Sequence, residues 1–203
     1  LKYRSFSGNG QIRLRGVNAT GGPVQIVKLG GQLDVSSREG NIKVAAKSLI
    51  ADGMRIEGDF GLSARNAING TIRIEADDVG AVLPVLKDAP VTGALSAAIQ
   101  LAGTPARPLI VAQFEAPALS YGPVRGIHIN AAARYAPDAI DIGPAFVRWQ
   151  GQTLETSGRI GLEGRSPVLD MAVELPDAAL GLILAGFPEM KIPATGQISA
   201  AAA

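Results

Sequence analysis

Apolar and polar residues alternate through most of this chain, and that alternation constrains the fold more than any other feature. In residues 72–76, for example, Ile72, Ile74 and Ala76 are separated by Arg73 and Glu75. Successive side chains of a β-strand point to opposite faces, so the pattern predicts strands with one apolar and one charged face. It recurs at residues 12–14, 33–35, 42–44, 56–62, 95–101, 127–133, 140–142, 147–149, 158–162 and 169–175. We therefore predict a mainly all-β fold built on a long, mainly antiparallel sheet with one apolar face.

Turn-forming residues separate these alternating segments. Gly and Pro favour the backbone conformations that tight turns require. We predict strand breaks at residues 21–23, 30–31, 103–105, 122–123, 136–138 and 151.

Two segments depart from the period of two. Asp78 precedes a short apolar run, and Asp177 precedes another. An Asp before such a run is typical of the first, capping residue of a helix. The sequence therefore predicts short helices near residues 78–87 and 177–186.

The chain also contains an internal repeat. Residues 89–96 correspond to residues 192–199 at an offset of 103, and both segments contain the motif Thr-Gly-x-[Leu/Ile]-Ser. Upstream, Glu75 and Asp78 correspond to Glu174 and Asp177 at an offset of 99. We predict a partial first repeat over residues 1–88, a second over 89–191 and the start of a third over 192–203. We also expect the chain to be a segment of a longer protein.

Composition excludes several classes of function. The absence of Cys excludes disulfide scaffolds, thiol nucleophiles and Cys-ligated metals, and a single His excludes multi-His metal centres. With 19 basic and 18 acidic residues, we expect no nucleic-acid partner. The pairs Asp77/Asp78 and Glu57/Asp59 fit a helix cap and a polar strand face better than acid–base catalysis. We therefore predict no enzyme activity, no catalytic residue, no metal and no cofactor.

The predicted apolar face is aliphatic, because only 4% of the residues are aromatic. Such a face must be covered by a second sheet, by helices, by its own curvature or by a ligand. An aliphatic trough suits acyl chains, which need contiguous apolar contact and no hydrogen-bonding groups. A β-sandwich with a dry core is the alternative that the alternation leaves open.

Three short motifs carry a resemblance to a known family. The first is the strand entry Thr92-Gly93-Ala94-Leu95-Ser96, and the second is the turn Leu101-x-Gly103-Thr104-x-x-x-Pro108. The third is the closing strand at residues 154–160, which follows Ile140-Asp141-Ile142. With these motifs, residues 42–199 resemble the AsmA/TamB-like family of repeating β-groove, bridge-like lipid transfer proteins.

The resemblance implies a taco-like groove in a periplasmic protein anchored in the inner membrane. It implies phospholipid transport between the inner and outer membranes, with phospholipid acyl chains as partners and an Omp85-type outer-membrane protein engaging another part of the chain. The same resemblance allows a scaffold for the assembly of outer-membrane β-barrel proteins. A structural β-solenoid or adhesin segment with a filled core is a further alternative.

The alternation also predicts which side chains line the groove, namely those on the apolar side of each strand. They are Ile42, Val44, Ile56, Phe60, Ile72, Ile74, Leu95, Ile99, Leu101, Ile127, Ile129, Ile140, Ile142, Ile160, Leu162, Leu169, Met171 and Val173.

Overall fold

The computed structural model contains an antiparallel sheet, as the alternation predicts, and the structure shows that this sheet is single and open in the described part of the chain. The structure describes residues 7–21, 24–51, 53–82, 89–163, 167–179 and 197–202. Twelve strands are neighbours in the sheet in the order of the sequence, and the two-residue strand β6 pairs with β8 beside them. The strands are β1 (Gly8–Gly21), β2 (Val24–Arg38), β3 (Asn41–Ala51), β4 (Met54–Leu62), β5 (Ile68–Ala76), β6 (Val91–Thr92), β7 (Leu95–Thr104), β8 (Arg107–Tyr121), β9 (Val124–Ala136), β10 (Ala139–Trp149), β11 (Gln152–Gly161), β12 (Val168–Ala179) and β13 (Gln197–Ala202).

Five of the six predicted strand breaks, those at residues 21–23, 103–105, 122–123, 136–138 and 151, fall at the ends of neighbouring strands. The turns after β7, β8, β9 and β10 each contain two residues, the length that suits antiparallel hairpins. The predicted break at Gly30-Gly31 is wrong, because both residues lie inside β2. Gly31 has a φ of 137°, and a Cβ there would lie 2.5 Å from the Ser48 carbonyl oxygen. Glycine therefore permits a close approach of β2 to β3, beside a shift in their pairing register.

Neither predicted short helix is seen. Near residues 78–87, the described residues contain only a single helical turn, α1 (Val79–Val82), and residues 83–87 lie outside the described part. The Asp78 carboxylate accepts hydrogen bonds from the backbone N–H groups of Gly80 and Gly93 at 3.1 and 3.2 Å. Asp78 therefore caps this single helical turn and ties it to the segment that leads into β7.

The second predicted helix is replaced at its start by a strand. Residues 177–179 belong to β12, where Ala178 pairs with Ile198 of β13. Their backbone groups therefore serve the sheet, and residues 180–186 lie outside the described part of the chain.

The sheet is continuous across the predicted repeat boundary at residues 88 and 89. β5 pairs directly with β7, and Ile72 lies opposite Ile99. β12 pairs with β13 in the same way after the equivalent part of the second repeat. The division into three repeats stays a prediction.

Two neighbouring alanines show that the sheet shelters one of its faces. Ala97 is 6% exposed, whereas Ala98, on the opposite face of β7, is exposed. α1 lies against β2 as well as β6, although a flat sheet would hold β2 and β5 about 14 Å apart. Bulges interrupt β8 after Ala116 and β10 after Ile142, and bulges bend strands. These features are consistent with a sheet that curves towards its apolar face.

The buried core is small. Among the described residues, no large side chain is fully buried. The core cluster consists of Val79, Ala116 and Leu119, and Val79 is supplied by the α1 turn. The partly buried residues packed against it are Val91, Leu95, Ile127 and Ile129. A second layer therefore covers the apolar face only locally in the described part of the chain.

A charge ladder crosses the polar face at β9, β10 and β11. The Arg159 guanidinium lies 3.2 Å from the Asp141 carboxylate and 3.4 Å from that of Asp138, and Arg134 approaches Asp141 to 3.7 Å. Each directly opposed pair of opposite charges stabilises the strand pairing slightly. The ladder therefore favours this register without forming a core.

Arg159→Ala is expected to lower the free energy of unfolding by less than about 1 kcal/mol, because ion pairs of exposed side chains contribute little. The Arg159 side chain is 55% exposed. Urea unfolding at low and high salt measures the effect, and high salt should shrink it further. A loss that salt leaves unchanged would contradict this account.

Candidate binding face

Cross-strand pairing aligns the apolar side chains in continuous rows. Ile72 lies opposite Gly58 on one side and Ile99 on the other, and directly opposed residues share a face of the sheet. The central row crosses eleven strands without a polar residue. It contains Ile12, Leu33, Ala46, Gly58, Ile72, Ile99, Ala112, Ala133, Ile142, Gly158 and Met171.

A second row runs beside the central one. Phe60 lies opposite Val44 and Gly70, so a large side chain is flanked by a small residue on β5. Tyr135 is the only residue in this row with a polar side-chain group. The row contains Gly10, Val35, Val44, Phe60, Gly70, Leu101, Ile110, Tyr135, Ile140, Ile160 and Leu169.

The structure places the predicted lining residues on this common face. Seventeen of the eighteen lie in strands, and Leu162 follows β11, where its N–H donates to the Asp138 carbonyl at 2.8 Å. None of the eighteen is buried, and Leu169 is the most exposed at 67%. The inward side chains of a two-sheet sandwich are buried, so the described sheet differs from that alternative.

Several residues of the face are absent from the predicted lining set because the alternating pattern does not identify β8 as a strand. Ile110, Ala112 and Phe114 of β8 belong to the same face, since Phe114 lies opposite Ala97 and Ala131. The consecutive apolar residues 109–112 hide the alternation there. The period of two is visible only from Ala112 onward, through Phe114 and Ala116.

The candidate face carries no charge from β3 to Leu175 of β12. Within that stretch, every Asp, Glu, Lys and Arg of the strands lies on the opposite face, except Lys47, which lies in a bulge of β3 and reaches Asp34 on the polar face. Burying an unpaired charge in an apolar environment is costly. A face without charges can therefore be covered by hydrocarbon without that penalty.

One apolar pocket indents this face at the sheet edge formed by the β8–β9 and β10–β11 hairpins. Its volume is about 380 Å³, and the atoms that line it are almost all apolar. The Trp149 indole Nε1 donates a hydrogen bond to the Arg125 carbonyl at 3.1 Å, which fixes one wall. The lining residues are Tyr121, Val124, Ile127, Val147, Trp149, Gln152, Leu154 and Leu175.

The polar face also contains depressions, and one of them is larger. A depression of about 570 Å³ lies over β5, β7, β8 and β9 and is lined mainly by polar and charged side chains. Arg73, Glu75 and Glu115 are among its lining residues. Hydrocarbon would have to displace water from these charges, so the larger volume does not make this depression a better acyl-chain site.

Asp34 has the one resolved pKa shift in the described part of the chain, and it lies on the polar face. Gln32 Nε2 donates a hydrogen bond to Asp34 Oδ1 at 3.0 Å. This bond lowers the pKa of the carboxyl below its ordinary value, and the Lys47 ammonium at 3.5 Å acts in the same direction. The Asp34 side chain is partly exposed and both of its partners are polar-face neighbours, so the shift indicates a surface contact and not a reactive group.

The remaining candidate chemical groups have structural partners. His128 lies opposite Arg148 on the polar face and is partly buried. Asp59 accepts a hydrogen bond from the Thr71 hydroxyl at 2.7 Å, and Glu57 lies opposite Arg73. Within the ranges that the structure describes, no three His, Asp or Glu side chains form a group that could hold a metal ion.

No helix in the described residues is long and apolar enough to cross a bilayer. No protein-family model matches the chain, and neither the curated proteins nor the solved structures contain a significant match to it. The candidate face is therefore identified by its geometry and its lack of charge.

Proposed function

We propose that this chain is a non-enzymatic, periplasmic segment of a bridge-like lipid transfer protein of the AsmA/TamB-like type. The apolar face shelters acyl chains while phospholipids pass between the inner and outer membranes. The observation that carries the proposal is the uncharged central row, which crosses eleven strands of a single-layer sheet and contains no buried large side chain.

The dimensions of the face suit a path longer than one lipid. Eleven strands at a spacing of about 4.8 Å extend the row by about 48 Å. Each methylene that leaves water for such a surface contributes about 0.8 kcal/mol. Because aliphatic residues recur at every strand, a chain that moves along the row exchanges one contact for a similar one. Movement then requires no chemical step and no cofactor.

The lipid headgroups have a place outside the trough. No charged residue of the strands lies on the apolar face from β3 to Leu175 of β12, so an acyl chain can enter from the side while its headgroup stays in water. An Omp85-type partner would engage another part of the chain, as the resemblance implies. The observed face itself supplies only the hydrocarbon contact.

The proposal predicts affinities that depend on tail length more than on headgroup. For fatty acids of 10 to 18 carbons added to the purified chain, each extra methylene should tighten binding by up to about fourfold. Changing the headgroup at constant tail length should alter affinity by less than the addition of two methylenes. Displacement of a fluorescent fatty acid measures both series.

The opposite result would reject the lipid groove. Affinities that follow the headgroup and ignore tail length would indicate a polar binding site. A protein without measurable affinity for any tail would also contradict the proposal.

A scaffold for outer-membrane β-barrel proteins is the second candidate. The observation in its favour is the edge strand β1, whose 14 residues pair with β2 alone among the described strands. An edge strand can accept an extended segment through backbone hydrogen bonds. Proline substitutions along β1 would then weaken the binding of peptides from barrel strands. Substitutions that introduce charges on the apolar face would leave that binding unchanged.

A further inference from the structure

The pocket at the hairpin edge combines residues that are distant in sequence. Tyr121 and Val124 close the β8–β9 hairpin, and Trp149 and Gln152 close the β10–β11 hairpin at the same edge. Leu175 of β12 completes the pocket from the other side. Five successive strands therefore contribute to one depression.

The walls of the pocket are ordered by pairing and by one hydrogen bond. Val147 lies opposite Ile129 and Leu154, so the floor continues the apolar face. The bond from Trp149 Nε1 to the Arg125 carbonyl fixes the indole against the neighbouring hairpin. An indole held in this way distinguishes this site from the central row, which contains no aromatic residue.

The side chains that line the pocket indicate which kind of ligand it can hold. No charged side chain lines the pocket, and the polar side-chain groups belong to residues at the hairpin ends, Tyr121, Trp149 and Gln152. Tyr121 is 52% exposed, so this rim faces water. Specific small-ligand sites have volumes of roughly 300 to 1,000 Å³, and the pocket's 380 Å³ lies at the small end of that range. These features fit one narrow hydrocarbon chain with a polar end at the rim.

We infer that this pocket is a defined holding site for a single acyl chain, whose polar end lies at the hairpin rim beside Tyr121. The inference deepens the proposed function and rests on it. A chain held here pauses at the edge of the groove, whereas the open rows give no such fixed position. The pocket is thus a point at which a lipid enters or leaves the face.

Trp149 provides a direct test because it is the only Trp in the chain. The probes are stearic acid with bromine near its carboxylate, stearic acid with bromine near its methyl end, and vesicles of phosphatidylcholine with the same brominated tails. Bromine quenches Trp emission only at short range. We expect at least a twofold loss of emission with the carboxylate-proximal bromine and a smaller loss with the methyl-proximal one. Quenching by the free acid alone, or by the vesicles as well, identifies the source of the chain.

Matched variants separate the pocket from the rest of the face. Leu154→Gln should weaken the quenching titration at least tenfold, whereas Thr153→Gln, on the neighbouring residue of the opposite face, should leave it unchanged. Leu175→Gln alters the opposite wall and keeps the test available if Leu154→Gln does not fold.

Total binding of radiolabelled stearic acid distinguishes the possible failures. If stearic acid still binds but does not quench Trp149, the inferred holding site is wrong, whereas the proposed lipid groove still stands. If the chain neither binds stearic acid nor shows quenching of Trp149, the proposed function is wrong as well. Stronger quenching by bromine at the methyl end would overturn the orientation of the chain.

Discussion

Ile99→Asp should weaken acyl-chain binding at least a hundredfold, whereas Gln100→Asp should leave it unchanged. Ile99 lies in the middle of the central row, opposite Ile72 and Ala112. Its neighbour Gln100 is exposed on the polar face, opposite Thr71 and Val111. A carboxylate at residue 99 would have to lose its water when hydrocarbon covers it, and several kcal/mol oppose that step. The same carboxylate at residue 100 stays solvated.

The fluorescent fatty-acid displacement assay compares these two variants, and far-UV circular dichroism with urea unfolding checks their folding. Ile99 is only partly buried, so its replacement should cost about 1 to 2 kcal/mol of stability. Both variants should therefore remain folded at room temperature. Equal binding by the two folded proteins would show that the apolar face does not hold the lipid.

Gly93→Ala should destabilise the protein by about 3 kcal/mol. Gly93 has a φ of 124°, and a Cβ there would lie 2.7 Å from the Ala118 carbonyl oxygen. Backbone strain at such a φ costs about 1 to 3 kcal/mol by itself. Gly93 also donates to Asp78 and accepts from the Val79 N–H at 2.8 Å, so displacement would move Val79 away from its core cluster.

Gly122→Ala is the matched control. Gly122 also has a positive φ, of 56°, but a Cβ there would meet nothing within 4 Å. It should lose about 1 kcal/mol from backbone strain alone. Chemical unfolding measures both losses. If Gly93→Ala and Gly122→Ala lower the free energy of unfolding equally, the close approach of Gly93 to Ala118 of β8 contributes nothing to stability. The proposed role of the Asp78 turn as a local cover of the apolar face would then be wrong.

Local patterns succeed in this protein where backbone geometry alone decides the outcome. The alternation at Ile72 and Ile74 assigns both residues to one face, because successive residues of any strand point to opposite sides. The same logic fails at residues 109–112, where an unbroken apolar run hides the alternation of β8. Asp78 has the local pattern of a helix cap, but its carboxylate binds both its own turn and Gly93, which is fifteen residues away.

Two glycines show that a local sequence signal does not decide between a turn and the interior of a strand. Gly122 is a turn residue as the sequence predicts, because its neighbours also favour a hairpin there. Gly31 has the same local signal but lies inside β2, where it allows the strand to approach Ser48. Whether a glycine ends a strand or lets two strands come together depends on the partner strand, and a single sequence does not contain that information in local form.

By itself, the sequence determined that the chain forms strands and which residues share the apolar side of each strand. The tertiary structure decided that these sides align in rows across eleven strands, that a second layer covers the face only near Val79, and that Tyr121 and Leu175 line one pocket. The physical reason is the range of the forces involved. Side-chain alternation follows from the geometry of each residue's backbone, whereas register, bulges and curvature depend on pairing between strands that are far apart in the chain.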